Sequence, residues 1–73
     1  MKNFWKTLKA TAIILTIFKD IEKTQDFIKE YQEETGNELT IEEIMDKSSK
    51  ELDENPRTKL FIDWAVKKIL AQL

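Results

Sequence analysis

The sequence predicts an all-α fold, and three observations predict it. The 73 residues contain only one glycine and one proline, and the single Gly-Asn pair lies between helical patterns, so β-hairpin signals are missing. Apolar residues recur at helical spacing along most of the chain, and helix start signals precede two of the apolar segments. We therefore expect a single helical domain over residues 1–73, with three or four helices. A long N-terminal helix, or a pair of helices, would pack against a helical hairpin.

The first predicted element covers residues 1–35. No residue between Met1 and Thr35 breaks a helix by composition, and Gly36 follows where a left-handed residue would end one. The segment is expected to form either one long helix or two helices. If there are two, the capping residues of "KTQD" favour a break near Lys23–Asp26.

The next helix is predicted over residues 41–53. In "LTIEEI", Thr40 and Glu43 have the spacing of a capping box, and Leu39 can pack on Ile44 as a hydrophobic staple. Pro56 disfavours helical backbone at the residue before it, so this helix should end near Asp53. The predicted buried stripe consists of Ile41, Ile44, Met45, Ser48 and Leu52.

The last helix is predicted over residues 56–73. Asn55 has the character of an N-cap, and Pro56 suits the first helical position because that position needs no backbone N–H. Its broad apolar face consists of Phe61, Ile62, Ala65, Val66, Ile69 and Leu73. A narrower apolar face consists of Leu60, Trp64 and Ala71.

The stretch "FWKTLKATAIILTIF" changes its apolar face near residues 13–18 when successive residues are turned by 100°. A straight helix could not bury both faces against the two short helices that follow. The first face consists of Phe4, Trp5, Leu8, Ala12 and Leu15. The second consists of Ile14, Ile17, Phe18, Ile21, Ile28 and Tyr31, and we expect it in the core.

The first face has four possible destinations: the core of the same chain, a seam between copies, a different protein, or a lipid surface. We expect a homodimer, because two opposed apolar faces offer more surface than a chain of 73 residues can cover alone. The candidate interface residues are Phe4, Trp5, Leu8, Ala12, Leu15, Leu60 and Trp64.

Enzymatic chemistry is not expected. The chain has no cysteine and no histidine, so it lacks the usual base near neutral pH, the thiol nucleophile and the common ligands of transition metals. One glycine cannot form a glycine-rich phosphate loop. We therefore expect neither a metal nor a cofactor.

Charge is distributed unevenly along the chain. Residues 1–19 carry four lysines and no acid, residues 20–54 carry thirteen acids and four lysines, and residues 55–73 carry four bases and one acid. The acidic middle could contact a basic protein surface. An alternative is a helix-turn-helix DNA-binding regulator, with Arg57, Thr58 and Lys59 at the start of its recognition helix. The single arginine and the acidic middle argue against that alternative.

Membrane insertion is not expected, because the longest apolar run, "ATAIILTIF", ends at Lys19 and a span needs about 20 residues. A second alternative is a peripheral membrane protein whose first face meets lipid, aided by Lys2, Lys6 and Lys9. The preferred hypothesis is a cytoplasmic, non-enzymatic interaction protein that self-associates and binds or blocks a macromolecular partner of unknown identity. The Lys-, Ile-, Glu- and Asn-rich composition would suit an accessory protein of a phage or an AT-rich bacterium.

Overall fold

Helix α4 is the element against which the other three helices pack. The computed structural model describes residues 2–72, with side chains from Phe4 onward. Within that range the chain forms four α-helices and no strand, which confirms the all-α prediction. The helices are α1 (Lys2–Ile17), α2 (Ile21–Thr35), α3 (Ser49–Glu54) and α4 (Pro56–Gln72), and a single 3-10 turn spans Ile41–Glu43.

Residues 2–35 form two helices, and the break lies at residues 18–20. The suggested break near Lys23–Asp26 was therefore wrong. Asp20 caps α2 by accepting a hydrogen bond from the Lys23 N–H at 3.2 Å. The hydroxyl of Thr24, which is buried, donates to the carbonyls of Asp20 and Ile17. Thr24 thus fixes the bend from inside the first turn of α2.

The core lies where α1, α2 and α4 meet. Phe61 of α4 is 0% exposed, and its ring packs against Phe18 and Tyr31 with centroid distances of 5.5 and 5.2 Å. The second apolar face was expected in this core, and the structure confirms it for every member except Ile21. Ile21 is 54% exposed, so the expectation was wrong for that residue. The buried apolar residues are Ala10, Ile14, Phe18, Ile28, Tyr31, Leu39, Ile44, Leu52, Phe61, Ala65 and Ile69.

Helix α2 ends as the sequence predicts. Gly36 adopts a left-handed conformation with φ 75°, and its N–H donates to the Gln32 carbonyl. The Gln32 side chain then donates to the Leu39 carbonyl at 2.8 Å, which holds the following loop against the helix.

The helix predicted over residues 41–53 is wrong in its first half. The capping box is present, with the Thr40 N–H donating to the Glu43 carboxylate at 2.8 Å, but it opens only the 3-10 turn. Asp46 has φ 64°, a left-handed conformation that an α-helix cannot contain. Ser48, placed by the prediction in the buried stripe, is exposed and caps α3 by accepting from the Glu51 N–H.

Helix α4 starts where the sequence predicts it. The Asn55 side chain accepts from the Arg57 N–H at 3.0 Å, and Pro56 is the first helical residue. Leu73, assigned to the apolar face of this helix, lies outside the described residues. No helix within residues 2–72 is long and apolar enough to cross a membrane.

Candidate interaction surface

Residues 4–9 of α1 have no buried side. Every residue from Phe4 to Lys9 is exposed, and Ala10 is the first buried residue among the helix side chains that the structure describes. We call residues 4–9 the arm. An isolated helix of this length is marginal in water, since most helix stability in proteins comes from packing one face. The arm is therefore a helical surface that the rest of the described chain does not cover.

The arm carries three large apolar side chains. Phe4, Trp5 and Leu8 are 60%, 68% and 48% exposed. The rings of Phe4 and Trp5 contact each other edge to face at 5.6 Å between centroids. Together these side chains form an exposed apolar cluster of the kind that usually marks a contact with another molecule.

The other residues of the first apolar face continue this cluster along α1. Ala12 is exposed and Leu15 is half-buried, whereas Ala10 and Ile14 lie on the core side of the helix. The two apolar faces that helical periodicity predicts therefore lie on different sides of α1. It brings Phe4, Trp5, Leu8, Ala12 and Leu15 together on one helix.

A groove beside Leu15 extends this surface. It has a volume of about 590 Å³ and runs between α1, α3 and α4. Sequence reasoning missed it, because its walls come from three helices whose arrangement no local pattern encodes. Its lining residues are Thr11, Ile14, Leu15, Ser49, Lys50, Asp53, Glu54 and Ile62.

Trp64 lies in a different environment from the arm. Its ring is half-buried and packs against Phe27 and Tyr31 at 6.0 and 5.4 Å. The indole N–H donates to Glu34, and the Lys68 ammonium lies 5.5 Å from the ring centroid. Trp64 therefore covers the edge of the core, and its role as an open interface residue is not supported by its contacts.

Leu60 is 57% exposed and lines a separate shallow depression near the start of α4. The walls of that depression are Tyr31, Asn37, Glu38 and Arg57. None of these residues belongs to α1. The candidate interface of the sequence analysis is therefore divided between two places.

Two carboxylates are held in their charged form by cations on α4. The hydrogen bond from Lys68 lowers the pKa of Glu34, and the hydrogen bonds from Arg57 and from the Thr40 backbone lower the pKa of Glu43. These pairs join α4 to α2 and to the 3-10 turn. They lie at the surface and connect these elements by charge-assisted hydrogen bonds.

The three candidate DNA contacts are not equivalent. The Arg57 guanidinium binds Glu43 and the Glu38 carbonyl, and Thr58 is buried with its hydroxyl donating to the Leu52 carbonyl. Lys59 alone is exposed without such contacts. In addition, Asn55 is the only residue between α3 and α4, whereas a helix-turn-helix has a turn of about 3–4 residues.

In the described part of the chain, no three acidic side chains are grouped closely enough to hold a metal ion.

Comparison of the sequence with protein-family models and curated proteins, and of the structure with solved structures, finds no match.

Proposed function

We propose that this protein is a small non-enzymatic interaction module that pairs with a second copy of itself through the arm. In that form it would bind or block a surface of another macromolecule. The observation that carries the proposal is the exposure of Phe4, Trp5 and Leu8 on two helical turns that have no buried side.

The energetic argument follows from burial. Covering a large apolar side chain contributes about 1.5–3 kcal/mol relative to leaving it in water. A two-fold pair would cover two copies of each arm residue, so every favourable contact is made twice. Aromatic residues contribute strongly at such contacts.

The proposal is tested by placing a negative charge in the arm. Trp5→Asp or Leu8→Asp should convert a dimer into a monomer in sedimentation equilibrium, because burying an unpaired charge is costly. The helical circular dichroism spectrum should remain, since these side chains lie outside the core. Gln25→Asp is the matched control, because Gln25 is an exposed residue of α2, and it should stay dimeric.

Two outcomes would contradict the proposal. One is a parent protein that is monomeric at every accessible concentration. The other is binding of the arm to lipid. It is measured in a Trp64→Phe variant, in which Trp5 is the only tryptophan. A blue shift of its fluorescence on adding anionic vesicles to the monomer would favour the peripheral membrane alternative.

A further inference from the structure

Two grooves border helix α3. The groove of about 590 Å³ described above lies between α1, α3 and α4. A second groove of about 540 Å³ lies between the end of α1, the turn at residues 44–47 and α3. Leu15 of α1 and Ser49 of α3 line both grooves. The two grooves are therefore neighbours, and α3 forms part of the wall of each.

Few contacts hold α3 in place. It has six residues, of which Leu52 is buried and the other five are exposed. The Thr58 hydroxyl donates to the Leu52 carbonyl. The ion pair of α3 that the structure describes joins Lys50 and Glu54, so it lies within the helix itself. Because an isolated helix of this length is unstable in water, α3 depends on the burial of Leu52.

The backbone leaves helical geometry on both sides of α3. Asp46, which precedes the Ser48 cap, has φ 64°. Asn55, which separates α3 from α4, is extended with φ −94° and ψ 119°. Residues at the ends of an element are where hinges absorb changes in φ and ψ. The orientation of α3 can therefore change without breaking the backbone hydrogen bonds of α4.

The other helices are connected more firmly. Phe18 next to α1 and Tyr31 of α2 both pack their rings on Phe61 of α4. Lys68 of α4 also pairs with Glu34 of α2. Segments with few buried apolar contacts open at a lower free energy than the core. Helix α3 should therefore open before the rest of the fold.

We propose that α3 detaches from α4 as a unit while α1, α2 and α4 stay folded. Opening exposes Leu52 and joins the two grooves into one apolar trough, which includes Ile14, Leu15 and Ile62. Helix α3 then acts as a strap that controls how much apolar surface the molecule exposes. This inference goes beyond the proposed function and does not rest on it, since α3 shares no residue with the arm.

Amide hydrogen exchange of the parent protein, followed by NMR, tests the opening. The Leu52 N–H donates to the Ser48 carbonyl at 3.0 Å, so it exchanges when α3 opens. It should exchange at least about tenfold faster than the Ala65 N–H of α4, after correction for intrinsic rates. In low urea the Leu52 rate should stay nearly constant, because a local opening exposes little surface. Equal rates with the same urea dependence would overturn the inference.

Two conservative substitutions separate opening of α3 from global unfolding. Thr58→Val removes the hydroxyl that holds Leu52, and it should raise the Leu52 exchange rate at least about threefold. Ile28→Val weakens the core at a buried residue of α2. It should raise the Ala65 exchange rate and leave the Leu52 rate unchanged. If both rates rose together in Ile28→Val, α3 would open only with the whole fold, contrary to the inference.

An apolar dye tests the trough. Leu52→Ala removes the buried side chain that holds α3, so this variant should bind anilinonaphthalene sulfonate more strongly than the parent while its thermal melting stays cooperative. Leu60→Ala, at an exposed leucine of α4, is the matched control and should not bind more dye than the parent. Parental dye fluorescence in Leu52→Ala would show that no trough forms. Loss of cooperative melting would show that α3 does not detach from a folded remainder.

Discussion

The Arg57 guanidinium lies against the Glu43 carboxylate, with Nε and Oε1 2.8 Å apart. A second guanidinium nitrogen donates to the Glu38 carbonyl at 2.8 Å. One side chain at the start of α4 therefore holds both the 3-10 turn and the loop before it. The residue that a DNA-binding hypothesis would assign to phosphate or base contacts is engaged in joining parts of this fold.

Replacing Arg57 should therefore affect stability. We expect Arg57→Ala to lower the melting temperature by a few degrees, because the turn loses its connection to α4. Lys59→Ala removes the same charge from an exposed side chain two residues away and should leave melting unchanged. The measurement is thermal denaturation followed by circular dichroism. Equal melting of the two variants would contradict a structural role for Arg57.

Acid should weaken the fold by protonating Glu43 and Glu34. The pKa values of Glu43 and Glu34 are lowered by hydrogen bonds from Arg57 and Lys68. A carboxylate with a depressed pKa stabilises the folded state above its unfolded pKa, and the contribution is lost as the pH falls through the folded value. Melting temperature should hold between pH 7 and about 5 and fall below that.

The acid effect can be assigned to these residues by substitution. Glu43→Gln combined with Glu34→Gln should flatten the dependence of melting temperature on pH below about 5. Glu22→Gln with Glu33→Gln removes two exposed carboxylates of α2 and serves as the control. If the melting temperature of the control depended on pH as weakly as that of the test variant, the acid effect would follow total charge.

Phe61 should be the most sensitive position in the core. Its side chain is completely buried, and truncation of a buried aromatic residue to alanine costs about 3–5 kcal/mol. In a chain of 73 residues a single core rarely supplies more than about 3–5 kcal/mol of stability, so Phe61→Ala should leave the protein largely unfolded. Leu60→Ala, at the exposed neighbour, should change the free energy of unfolding by less than about 0.5 kcal/mol. Urea titration of both variants gives the comparison.

The two left-handed residues predict opposite effects of substitution. Gly36 has φ 75°, so Gly36→Ala should cost about 1–2 kcal/mol, the penalty of a side chain in that conformation. Asp46 has φ 64°, so Asp46→Gly should stabilise by about 0.5 kcal/mol after the entropy of the unfolded glycine is included. Asp53→Gly, inside α3, should destabilise. Loss of stability in Asp46→Gly would contradict the strain at that position.

The sequence alone determined the features that depend on neighbouring backbone. The left-handed Gly36, the capping box of Thr40 and Glu43, and the Asn55 cap are all present as expected, because each is decided within four residues. The separation of two apolar faces on the first helix was also readable, since helical periodicity fixes which side chains share a side.

Only the tertiary structure decided those helix boundaries at which packing overrides the local helix preference of the sequence. The bend at residues 18–20 packs Phe18 against Phe61 and buries Thr24. The capping residues of "KTQD" carry no information about these tertiary contacts. The chain leaves helical geometry at Asp46 while Ile44 and Leu52, on either side of the turn, are both buried. Helix propensity is worth tenths of a kcal/mol per residue, and burial of a large side chain is worth several times more, so packing determined these boundaries and formed the groove.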